Sequence, residues 1–248
     1  MSLACRELVQ IVTEYRYLEQ FYNICDAEGL YVPEIEGFKK SIVPGVDPYT
    51  LILPRKWLPT GYLELAALAQ HHGVPTRLLD WSRDMNVALY FACTDVADEE
   101  DERTGEMEMW ALDTSVVMTE PTEFPMKIVR PRYYKNDNLT AQKGYFTFWE
   151  VDKPAFPSKN DKTSFLIKTD RTPLDKQLTD YLKKREIKPK TYLYHVTVPQ
   201  SAANDIFNYI DIYGYNASSL FPGYDGAVKY IKEKQKFGRE KTKDDVTK

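Results

Sequence analysis

The chain has 248 residues, 43% hydrophobic and 28% charged, with a net charge of −4 and an isoelectric point near 5.6. That composition excludes a disordered or fibrous chain, leaves room for one large core or two small ones, and gives no bulk attraction for nucleic acid. Cys5, Cys25 and Cys93 are odd in number and lack C-x-x-C spacing, which argues against a disulfide framework or a zinc knuckle, and no metal site is expected.

In chain order, residues 7–27 read as a helix. Leu8, Ile11, Val12, Tyr15, Leu18, Phe21 and Tyr22 make one apolar face, and Gly29 ends it. Residues 33–59 are proline-rich and loop-like, with a short apolar run at 49–53. A second helix is expected over 61–71, stopped by Gly73. A third runs to about Cys93, capped by Asp80 or Ser82. Acidic residues crowd 95–106 and read as a solvated loop without EF-hand spacing.

Short strands follow at 108–112, 126–129, 146–149, 164–167 and 192–198. In the last of these, Tyr194 and His195 fall on opposite faces, and His195 reads as a surface or sheet histidine. Helices close the chain at 200–209 and 225–236. The resulting fold class is α+β: a single domain over residues 1–237, with N-terminal helices, a later and mostly antiparallel sheet, and a charged tail at 238–248. With no signal peptide and no apolar run of about 18 residues, the expected location is the cytoplasm, with no membrane partner.

The densest chemistry lies in residues 69–93, AQHHGVPTRLLDWSRDMNVALYFAC. Gly73 and Pro75 specify a fixed loop shape. This loop is expected to be ordered and largely buried, anchored by Leu78, Leu79 and Trp81. His71 and His72 sit at a helix C-terminus, which favours the imidazolium. Helical neighbours point about 100° apart, so one of them faces a site and the other is structural. Arg77 and Asp80 either pair to lock the loop, or Asp80 caps a helix and leaves Arg77 to fork onto phosphate or carboxylate. Trp81 packs, or stacks on a base or sugar. Gln142, ahead of the 144–147 strand edge, either reads an amide or a ribose hydroxyl or closes a turn. Lys127, Arg130, Arg132, Lys135 and Lys143 form a basic group nearby, a solvated face or a phosphate-binding rim. Serine hydrolase, Walker A, dinucleotide and zinc-protease signatures are absent.

The segment from Ala69 to Ala92 resembles the signature of the bacterial FRG domain, A-Q-H-(H/Y)-G-(L/V)-P-T-R-L-L-D-W-(T/S) followed by A-L-(Y/F)-F-A. Gln142-Lys143-Gly144-Tyr145-Phe146-Thr147 and Leu220-Phe221-Pro222-Gly223-Tyr224-Asp225-Gly226-Ala227 resemble two weaker family features. The family's N-terminal Phe-Arg-Gly strand has no counterpart, since no Arg-Gly pair occurs in the chain. The resemblance implies a toxin or defence effector. The family's layout is similar to the split motifs of ADP-ribosyltransferases, an analogy that brings in a nucleotide-containing substrate such as NAD. On that reading His71, His72, Arg77 and Gln142 are catalytic, and Asp80, Trp81 and Thr147 contact the ligand. The alternative is a non-catalytic ligand- or partner-binding module. The resemblance settles neither a cofactor nor an oligomeric state.

Overall fold

The structure is a computed structural model that describes residues 3–35, 56–96, 104–118, 124–132, 136–152, 172–187 and 192–238. The expected strand at 164–167, the apolar run at 49–53, most of the acidic loop and the tail from 239 lie outside the described residues. The class is α+β, as the order of helical and alternating segments predicts. The chain divides into two compact units. One comprises Met1–Leu79, Thr119–Pro131 and Phe146–Pro189. The other comprises Asp80–Met118, Arg132–Tyr145 and Lys190–Lys248. No described helix is long and apolar enough to cross a membrane.

The first unit is built on α1 (Leu3–Ala27), whose stripe of Ile11, Tyr15, Leu18 and Tyr22 is buried. That stripe is the one the 3.6-residue period predicts. α1 packs against α2 (Leu63–His71), which buries Leu65, Ala66, Ala67 and Ala69. Gly73, at φ +86°, follows the His72 C-cap and takes the left-handed conformation that ends such a helix at low cost. Tyr15, Trp57 and Tyr62 cluster with ring centroids 5.9–6.3 Å apart.

Trp57 belongs to the two-residue strand β1 (Lys56–Trp57). β2 (Leu79–Ser82) begins in this unit. β4 (Met126–Val129) pairs antiparallel with residues 146–149 of β5 (Gly144–Trp149), in the register Met126↔Trp149 to Val129↔Phe146. β1 pairs with β6 (Val151–Asp152). A helix absent from the sequence expectations, here α5 (Leu174–Lys184), buries Leu178 and Leu182 and sets Tyr181 edge-on to Phe124 and Trp149. Asp175 in its first turn and Lys183 and Lys184 in its last suit the helix dipole.

The second unit holds a ribbon of β3 (Glu106–Leu112) and β7 (Leu193–Pro199), paired antiparallel from Glu106↔Pro199 to Leu112↔Leu193. His195 lies stacked on its cross-strand partner Trp110, 4.2 Å between centroids, and 3.3 Å from Glu108. It is an exposed sheet histidine, as expected.

α3 (Met85–Thr94) and α6 (Ala203–Ile212) pack together, and the core they share takes in Val87, Tyr90, Cys93, Phe207, Ile210 and Phe237. The cap of α3 is Asp84, which accepts from Asn86 N at 3.0 Å. This corrects the expected Asp80 or Ser82. Ser82 instead donates to Gln142 O at 2.8 Å and accepts from Asp84 N at 3.0 Å, so its hydroxyl shapes the turn one step before the helix.

α4 (Asp137–Ala141) is a single turn capped by Asn136. Asn216 closes a capping box on α7 (Ala217–Leu220), which precedes α8 (Tyr224–Phe237). Gly226 sits where a Cβ would fall 1.8 Å from Phe221 O and 2.8 Å from Ala217 O. The glycine in the Asp225-Gly226 pair is therefore required by close backbone approach. Burial of Cys93 pushes its thiol up to about 11. Glu233, only 5% exposed, accepts from Tyr90 Oη at 2.5 Å and from Ala217 N at 3.1 Å. Burial, and then the hydrogen bond and charge of Glu233, push the Tyr90 phenol far up.

Candidate ligand-binding site

The site is best built from the charge that α1 carries on its buried face. Glu14 falls between Ile11 and Leu18 in the apolar stripe, where a lone carboxylate would be costly. Arg77, in the loop after α2, resolves this. Its Nε donates to Glu14 Oε2 at 2.7 Å and its Nη2 to Glu14 Oε1 at 3.2 Å, and its Nη1 reaches Trp149 O at 3.4 Å. Trp57 Nε1 also donates to Glu14 Oε2, and Gln10 Nε2 donates to Glu14 Oε1 at 3.1 Å. The side chains of Arg77 and Glu14 are only 9% and 12% exposed. The expected pairing of Arg77 with Asp80 is thus corrected. The ion pair exists, but with a residue 63 positions away. A planar fork on two carboxylate oxygens is the geometry that distinguishes Arg from Lys.

Beside this pair is a cavity of about 310 Å³, lined by Gln10, Thr76, Arg77, Thr147, Trp149 and Gln177 among others. It is at the lower end of the size range of small-molecule sites. Thr147, on β5, is 2% exposed. Thr76 donates to the Gln70 side chain and accepts from Leu78 N, which fixes the loop next to Arg77. Gln177 Nε2 donates to Thr172 O at 3.1 Å.

Two of the seven residues expected at a site, Arg77 and Thr147, line this cavity. His71 and His72 are exposed at the end of α2, with rings edge-on at 5.1 Å, and His72 stacks on Phe21. Neither lines the cavity. Gln142 belongs to the second unit, where its Nε2 donates to Leu220 O at 3.1 Å and ties α4 to α7. Asp80 is exposed and Trp81 half-buried.

The loop expected to be largely buried is only partly so. Leu78 is buried, but Leu79 is 47% exposed, and Gly73, Pro75 and Asp80 are exposed. Its order comes from the Arg77 and Thr76 hydrogen bonds more than from apolar anchoring. Of the basic group, Lys143 pairs with Asp84 at 2.5 Å and Lys127 lies 3.9 Å from Glu150, while Lys135 lies outside the described residues.

Glu14, Gln10 and Gln177 are the wall and pairing residues that sequence reasoning missed. Glu14 had a readable signal, since it interrupts an apolar stripe at the i+3 position from Ile11. The two glutamines had none.

No curated protein and no solved structure matches the chain. The family model of the FRG domain matches residues 47–101, a span that takes in β1, α2, the Arg77 loop and α3. The loop that delivers Arg77 to Glu14 and to the cavity wall is the centre of that match, and over this span the chain is similar to the FRG domain.

Proposed function

We propose that the chain is an FRG-type bacterial protein whose Arg77 cavity binds a small ligand, with nucleotide-containing compounds such as NAD as the class to test. The observation that carries the reading is the meeting of Arg77 and Thr147, 70 positions apart, on the wall of one half-open polar and aromatic cavity. Within this proposal the FRG-like domain spans residues 1–237 and acts in the cytoplasm as a toxin or defence effector. The geometry favours binding over catalysis. Arg77 is the one cation among the described wall residues and Glu14 already matches its charge, which leaves it little electrophilic power. The enzyme reading adds His71, His72 and Gln142 as catalytic groups acting with Arg77.

Calorimetric titration of the whole chain with NAD and with nucleosides tests the reading. Binding that Leu174→Trp abolishes, by filling the cavity from α5, is the expected result. Absence of binding, or binding that this variant leaves unchanged, overturns it. Consumption of NAD by the parent chain, lost in His71→Ala or His72→Ala with binding retained, would decide for the enzyme.

A further inference from the structure

We infer that the outer face of α8 pairs with the same face of a second copy of the chain, the two helices running antiparallel about a two-fold axis. The inference does not depend on the cavity being a ligand site.

The first observation is that α8 carries an apolar stripe on the side turned away from the core. Gly226, Glu233 and Phe237 are buried on its inner side, with Tyr230 half-buried on the same side. At about 100° per residue, Tyr224, Val228, Ile231 and Gln235 fall within about 60° of one another on the opposite side. Tyr224 is 93% exposed, Ile231 59% and Val228 52%, and Gln235 is exposed with them. A surface helix needs one apolar face, and three large apolar side chains aligned in water on the other mark a contact surface. Residues 239–248 contribute a single apolar side chain, Val246, so the chain's own C-terminal segment is a poor cover for the stripe.

The second is the spacing. Tyr224, Val228, Ile231 and Gln235 follow one another at intervals of four, three and four, the seam of a two-helix pair. The residues beside such a seam set the partner and its direction. Here Asp225 and Lys232 lie on one flank, Ala227 and Lys234 on the other, and all four are exposed.

The third is that these flanks complement themselves. A two-fold axis perpendicular to both helices sets each flank against the same flank of the other copy, reversed in direction. With the axis midway between Lys229 and Tyr230, Val228 packs on Ile231 of the second copy and Tyr224 on its Gln235. The same operation brings Asp225 beside Lys232 of the second copy, twice, and lays the Lys234 stem over Ala227. No like charges meet. In a parallel pair each flank meets the opposite one, so Lys232 would face Ala227 and Asp225 would find no cation. An acidic partner of another kind would suit the lysines but repel Asp225. A helix of 14 residues is about 21 Å long, a small contact, so a weak dimer is expected, with a dissociation constant of about 10–100 µM.

The test is sedimentation equilibrium of the whole chain at low salt, from about 1 µM to about 300 µM, a range that brackets a weak dimer. The parent should pass from monomer to dimer. Ile231→Glu should stay monomeric, and its melting temperature in dilute solution should equal the parent's, since the side chain it replaces is exposed. Asp225→Lys and Lys232→Asp should each weaken self-association by about tenfold, because each sets like charges opposite one another twice. Mixed in equal amounts, these two variants should pair with each other, since each then supplies the charge the other lacks. A parent chain that is monomeric throughout would overturn the inference, and its sedimentation with anionic lipid vesicles, lost in Ile231→Glu, would assign the face to a membrane instead. A dimer that survives Ile231→Glu would overturn it by placing the contact elsewhere. Charge variants that associate as the parent does, or that fail to combine when mixed, would overturn the antiparallel pairing and the inference with it.

Discussion

Each unit buries a carboxylate, and the two solve the same problem differently. Glu14 is met by a guanidinium, an indole N–H and an amide, next to a cavity. Glu233 is met by a phenol and a backbone N–H inside a closed helical core. The first arrangement stores opposite charges that depend on each other. The second shares out neutral donors around one charge and ties α3, α7 and α8 together. A buried ion pair is weak evidence for stability, because desolvation offsets its attraction. The Glu14 pair therefore reads as a device for positioning Arg77, and the Glu233 network as structural glue.

The largest expected effect separates them. Glu14→Gln should leave Arg77 buried without a counter-charge and lower stability by about 3–5 kcal/mol, the cost of breaking one side of a buried pair. Urea unfolding followed by tryptophan fluorescence measures it, and a loss below that of the Glu233 variant would reverse the contrast. Glu233→Gln keeps an acceptor for one donor but turns an NH₂ toward the other, with an expected loss of about 1–3 kcal/mol.

The smallest effect is outside both networks. Burial raises the pKa of Asp84, but the stronger combined effect of hydrogen bonds from Lys143, Tyr215 and Asn86 N holds its carboxyl below the ordinary carboxylate range. A depressed folded pKa stabilises the protein above the unfolded value, and that stability is lost as the pH falls through the folded one. Asp84→Asn should thus be less stable than the parent by less than about 1 kcal/mol at neutral pH. The gap should close in acid, below the normal aspartate range, and thermal melts across pH would show it. A gap that widens in acid would contradict the assignment.

The regions differ in how far the sequence announced them. Periodicity located α1 and α2, because each buries one face against a neighbour, while residue types located β4 and alternation located β7, although β7 is largely exposed. α5 also carries the helical period, at Leu174, Leu178, Tyr181 and Leu182, but its charged residues mask the stripe. The Arg77 loop could be recognised as special from its residue types. Its partner could not be, because a pairing across 63 positions depends on how α1 and the loop come together, which no local pattern encodes. Gln142 reads from sequence either as a ligand contact or as a structural hydrogen bond, and its Nε2 makes a structural one to Leu220 O, a pairing that no local pattern announces. Sequence showed Gly226 to be distinctive, and only the 1.8 Å approach of a backbone oxygen says why.

The burial of Cys93 has a practical consequence. Its thiol, raised to about 11, lies in the core that α3 and α6 share, whereas Cys25 is half-exposed. An alkylating reagent should modify Cys93 only during excursions in which the second unit opens. Its labelling rate would then track the opening equilibrium of that unit when reclosing is fast, and the opening rate itself when reagent is abundant. One native cysteine thus serves as a clock for one half of the molecule, readable by mass spectrometry without denaturant.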